Sequence, residues 1–290
     1  YAAPVLLGLG GVALVAPVPP LLGRMLLLDG TVALVAVLVA LWRRRRDDEV
    51  LVQVLAACLA VLAALAWVRV EASVVVPLLA GFVVLTIAAE RVELARFHLP
   101  RTAGTTLLWL ATGLALSATW ALVAPGPGSR AFGVALLALV AWLAPRDVAR
   151  RTVRSTDLPR FSAVAMLAGY GWLTVAGVAW AVTGVPTTRA AHDLLVHTVF
   201  LGFAMSMVLA HAPVILPSVL RRPLPYRRVL WAPLVVLHAG LAVRVCGDLV
   251  GQTRLAQAGG VLTTVALLLL PLTAAASVAL PVRHPRSVPA

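Results

Sequence analysis

Lysine is missing altogether: all 24 basic residues of the 290 are arginine, which fits a GC-rich coding bias as well as it fits any function. Acidic residues number only 11, and charged residues make up 12% of the chain, about half the share found in a soluble domain. The 61% hydrophobic content and the mean hydropathy of +0.99 far exceed the roughly 45–50% of soluble domains, so no water-soluble fold could hide that much apolar surface. The two cysteines, Cys58 and Cys246, both fall in apolar runs, which excludes a disulfide framework and a CxxC-type metal site. There is no P-loop and no GxGxxG after a strand, which disfavours nucleotide chemistry; Gly8-Leu9-Gly10-Gly11 is a glycine-rich piece of an apolar run. Tyr1 to Ala16 lacks a basic n-region, so it does not read as a signal peptide. A chain that begins at Tyr1 without a methionine is expected to be a segment of a longer one.

What the sequence has is long apolar runs. A bilayer core of about 30 Å needs about 20 apolar residues in helix, because each backbone N–H and C=O must be satisfied within the segment. That length divides the chain into ten spans: Ala2 to Ala16, Met25 to Trp42, Val50 to Val68, Ala72 to Ala89, Thr105 to Val123, Ala131 to Ala144, Phe161 to Thr183, Asp193 to Leu220, Val229 to Val250 and Leu255 to Leu280. The first and sixth are the shortest. The fold class is therefore all-α, a polytopic transmembrane helical bundle, read as a single domain over residues 1–290 because no connection is long enough for a soluble domain. Gly171, Gly177, Gly202, Gly240 and Gly247 within the spans read as sites of close helix packing, and no internal repeat of the transporter kind is visible.

The formal charge of +13 would point to nucleic acid on one compact domain, but the arginines sit in short punctuations between spans. The connections after the even-numbered spans hold 18 arginines, in the groups Arg43 to Arg46; Arg91, Arg96 and Arg101; Arg146, Arg150, Arg151, Arg154 and Arg160; Arg221, Arg222, Arg227 and Arg228; and Arg283 with Arg286. Those after the odd-numbered spans hold one each, Arg24, Arg69, Arg130, Arg189 and Arg254. Cytoplasmic loops retain positive charge on insertion. A wrong number of spans would break this alternation, so both termini are expected in the cytoplasm of a bacterial-type inner membrane, with the lipid bilayer as the partner and no nucleic acid.

Ionisable groups at membrane depth are costly, and function is sought among them first. At about 1.5 Å per residue, His197 in the eighth span is expected roughly 6 to 9 Å below the outer surface and Arg244 in the ninth roughly 9 Å below it. Asp248 is one turn from Arg244, and Asp29 and Asp193 stand near the outer ends of their spans, so these five form an outer polar layer. His211 and the Glu90-Arg91 pair form an inner one, with His238 between the two. His197 and His211, 14 residues apart, fall about 40° from one helical face. His192 points elsewhere; His98 and His284 are loop residues; Met205 and Met207 read as packing. The bland alternatives are that Arg244 and Asp248 neutralise each other at i, i+4, that Glu90 and Arg91 mark a helix end, and that His238 is an interhelical hydrogen-bond donor. Imidazole is the commonest protein ligand for haem iron and also suits copper, and an arginine such as Arg244 matches a haem propionate bidentately.

The run His197-Thr198-Val199-Phe200-Leu201-Gly202-Phe203-Ala204-Met205-Ser206-Met207, followed by His211-Ala212-Pro213-Val214-Ile215-Leu216-Pro217, resembles the NnrS-like membrane proteins; Glu90-Arg91-Val92-Glu93-Leu94 and Leu237-His238-Ala239-Gly240-Leu241-Ala242-Val243-Arg244 add to the likeness. The resemblance covers about a quarter of the chain. It implies haem b, with copper as a second metal, a part in the response to nitric oxide, and His197, His211 and His238 as ligand candidates. Where some related domains carry a His-Gly pair, this chain has Asp29-Gly30, which implies an altered site. The leading expectation is a membrane haem or copper protein of redox or nitric-oxide-response type. A small-solute or proton-coupled transporter relaying through Asp29, Glu90, Arg244 and Asp248 is the second. The third is an anchor or assembly domain of a larger copper oxidase, with a soluble copper or redox domain as partner.

Overall fold

The computed structural model describes residues 2–221 and 225–279, and every regular element among them is a helix. The apolar runs do fold as the length criterion requires. In chain order the α-helices are α1 Ala2–Val15, α2 Pro20–Arg45, α3 Asp48–Trp67, α4 Val76–Ala95, α5 Ala103–Val123, α6 Pro125–Leu143, the short α7 Ala149–Thr152, α8 Asp157–Thr183, α9 Arg189–His197, α10 Met205–Leu220, α11 Trp231–Leu249 and α12 Thr253–Ala279. Among the described residues nine helical segments are long and apolar enough to cross a membrane. The 14 residues of α1 span about 21 Å, short of a hydrocarbon core of about 30 Å. The protein is thus all-α and multi-pass, and side chains such as Val15, Trp109, Leu268 and Leu272 stand outward on it, a surface suited to lipid. Leu280, Arg222, Arg283, His284 and Arg286 lie outside the described residues.

Several helices run beyond the expected boundaries, as α2 does from Pro20 to Arg45, and two of the differences have clear local reasons. The sixth span begins at Pro125 rather than Ala131, because proline is at home in a first helical turn, where its missing N–H is not needed. The extra turns carry Gly128 against the backbone of Ala121 in α5, where a Cβ would come within 2.4 Å of the Ala121 nitrogen. The eighth span begins at Arg189, capped by Thr188, whose hydroxyl accepts from the Ala191 N–H at 3.1 Å. It is not one α-helix: a π-helical stretch, Thr198–Ala204, separates α9 from α10. A π-turn takes more residues than an α-turn, so the α-helical spacing that set His197 and His211 about 40° apart does not apply across it.

The chain divides into two compact units. The first comprises Tyr1–Val148 and Tyr170–Phe200, the second Ala149–Gly169 and Leu201–Ala290. In lipid there is no hydrophobic drive between helices, so close approach of small residues does the work. In the first unit α1 and α2 interlock reciprocally: a Cβ on Gly10, Gly23 or Gly30 would stand 2.8–2.9 Å from Leu27, Leu14 or Leu7 of the opposite helix. The α6–α8 contact is made by Gly133 and Gly177 beside an edge-to-face pair, Phe132 and Trp180, at 4.9 Å. In the second unit α11 and α12 pack through Gly240, Gly247 and Gly259, where added Cβ atoms would come within 2.4–2.7 Å of the facing helix. The packing expectation thus holds at Gly177, Gly240 and Gly247, whereas Gly171 meets nothing within 4 Å.

Candidate functional site

The histidines of α9 and α10 share one local device. His197 Nδ1 lies 2.8 Å from the carbonyl of Asp193, one turn earlier, and 3.3 Å from the Asp193 carboxylate. His211 Nδ1 lies 2.7 Å from the carbonyl of Met207, also one turn earlier. A carbonyl oxygen accepts and cannot donate, so both rings carry their proton on Nδ1, and in the neutral form the lone pair sits on Nε2. That is the tautomer in which a histidine coordinates a metal through Nε2 while carbonyl and carboxylate acceptors fix the ring. His197 and Asp193 are both part-buried.

His238 differs. Its Nε2 faces Ser206 Oγ of α10 at 3.5 Å, a long contact, and the Ser206 hydroxyl already donates to the Gly202 carbonyl. Towards His238 the serine can therefore only accept. This matches the interhelical hydrogen-bond alternative for His238. Arg244 lies across the glycines of α12: a Cβ on Gly260 would stand 2.6 Å from its Nη1 and one on Gly259 2.4 Å from its backbone nitrogen. His211, His238, Arg244 and the half-buried Asp248 belong to the second unit, and Asp29, Glu90, Arg91, Asp193 and His197 to the first. Asp29 and Glu90 are exposed. Gly30, beside Asp29, is occupied by the α1–α2 packing.

The strongest polar cluster was not legible in the sequence. Arg91, at the end of α4, donates from Nε to Asp147 Oδ2 at 2.9 Å and from Nη2 to Oδ1 at 2.7 Å. Tyr170 of α8 donates from its hydroxyl to the same Oδ2 at 2.7 Å. Arg91 and Asp147 are only 8% and 5% exposed, so this bidentate pair is buried in the first unit. Glu93, two residues after Arg91, pairs with Arg45 at 3.3 Å at the surface. In the sequence Asp147 follows Arg146 in an arginine-rich connection and reads as a solvated loop residue. Its signal was that it is the acidic residue closest to the end of the sixth span.

Among the described residues no group of three or more His, Cys, Asp or Glu side chains could hold a metal ion. A haem iron takes one or two imidazoles, the donor type that His197 and His211 carry. A cavity of about 410 Å³ lies in the first unit, lined by residues of α4, α5, α6, α8 and α9, His192 among them.

A family model described as "Domain of unknown function (DUF8744)" matches residues 1–279, and the chain belongs to that family. No curated protein and no solved structure matches it.

Proposed function

We propose that this member of the DUF8744 family is a multi-pass inner-membrane haem protein of redox or nitric-oxide-response type, like the NnrS-like proteins whose motifs it resembles, with its arginine-rich connections in the cytoplasm. The observation that carries the reading is the His197 ring, whose Nδ1–H is held by the carbonyl and carboxylate of Asp193 so that Nε2 is the coordinating atom. His211, with the same tautomer, is the second candidate. Haem supplies an iron that exchanges single electrons and takes diatomic gases. The protein's share is to present one imidazole in a fixed tautomer, to raise its basicity through Asp193, and to exclude water by the apolar helices around it. The π-helical stretch directly after His197 supports the reading, since such turns recur at functional sites. The asymmetry of 18 against 5 arginines supports the orientation.

The test is a reduced-minus-oxidised spectrum of the full chain purified in detergent after haem-replete expression, with metal analysis. A Soret band near one haem per chain is expected; its absence would sink the proposal.

A further inference from the structure

The cavity of the first unit is not used by the histidine site, and its lining has a definite chemistry. Trp180 and Leu195, both buried, form apolar walls. Arg189 and His192, one turn apart on α9, supply the ionisable groups, and no carboxylate lines the space. Pro125 and Arg189, also in the lining, stand in the first turns of α6 and α9, while Ala121 and Trp180 stand in the last turns of α5 and α8, so helix ends of both signs border the space and the side chains decide its charge. At those helix ends the Trp180 carbonyl accepts from the Gly184 N–H and the Trp120 carbonyl from the Ala124 N–H, each at 2.8 Å. The volume, about 410 Å³, lies in the range of roughly 300–1,000 Å³ typical of small-molecule sites.

We infer that this cavity binds a small amphipathic carboxylate, its apolar body against Trp180 and Leu195 and its anionic end at Arg189 and His192. The charge selects the ligand: an apolar wall alone would accept any hydrophobic molecule, but a cavity lined by a guanidinium and an imidazole with no acidic side chain rewards a negative one. The inference is independent of the haem proposal, because none of its residues is a ligand candidate.

The experiment uses the full chain in neutral detergent, with 4-phenylbutyrate as probe and 4-phenylbutanol as its neutral counterpart, followed by thermal unfolding and titration calorimetry. The acid is expected to bind at least about tenfold more tightly than the alcohol, a ratio within the range for a hydrogen bond to a charged group. Arg189→Gln removes that preference while leaving the alcohol unchanged. Thr187→Trp, at an exposed lining position, weakens both. Equal affinity for acid and alcohol, or acid binding indifferent to both substitutions, overturns the assignment. So does loss of acid binding in nanodiscs of anionic lipid when it persists in neutral ones, since a lipid headgroup would then be the occupant.

Discussion

At the scale of single residues, the energetics separate a structural cluster from a functional one. Arg91, Asp147 and Tyr170 form a buried, mutually satisfied network, and removing one partner of such a pair costs about 3–5 kcal/mol because the other charge is left uncompensated. Side-chain hydrogen bonds within membranes are worth less, about 0.6–1.7 kcal/mol. Asp147→Ala is therefore expected to lower the thermal midpoint in detergent far more than Tyr170→Phe. Arg91→Lys should fall closer to Asp147→Ala, since lysine cannot make the bidentate fork. Equal effects of the three would contradict the arrangement. In the proposed haem site Asp193 has a different part. It orients His197, and loss of such a supporting carboxylate typically weakens metal binding by about 10–100-fold. Asp193→Asn is thus predicted to lower haem affinity by that factor while leaving the unfolding midpoint of the haem-free protein unchanged, which haem titration and thermal unfolding read separately.

At the scale of elements, the sequence carried the helices well and their ends less well. Apolar length alone located each membrane helix, because a bilayer leaves the backbone no alternative to internal hydrogen bonding. Starts were misplaced where side-chain chemistry overrides hydropathy, at Pro125 and at Arg189 behind its Thr188 cap. The π-helical stretch Thr198–Ala204 left no mark in a uniformly apolar run, and for that reason the facing of His197 and His211 could not be read from their spacing. Partners far apart in sequence, such as Arg91 and Asp147, were equally silent. The glycines could be read as packing residues but not ranked. The structure ranks them: Gly259→Leu meets the Arg244 backbone, which cannot yield, whereas Gly171→Leu meets open space. Overpacking of this kind costs about 1–3 kcal/mol or more. The first substitution is expected to reduce thermal stability markedly and the second to be nearly neutral; the reverse order would refute the α11–α12 contact.

At the scale of the whole molecule, the arginines do two jobs. Arg46 stacks on Trp42 at 4.6 Å and Arg146 on Trp142 at 5.3 Å, each pair four residues apart at the end of an apolar helix, where guanidinium and indole suit the membrane interface. Reporter fusions after Arg101 and Arg160 are accordingly expected to read as cytoplasmic and those after Arg130 and Arg254 as external, and the opposite pattern would invert the topology. Within that frame the central claim concerns the iron ligand. The most direct measurement is the Soret absorbance per polypeptide of the purified wild type beside His197→Ala, His211→Ala and His238→Ala. The account predicts a band in the wild type, its greatest loss in His197→Ala, and least change in His238→Ala, whose Nε2 faces Ser206. A wild type that takes up haem but keeps it undiminished in both His197→Ala and His211→Ala would contradict the account.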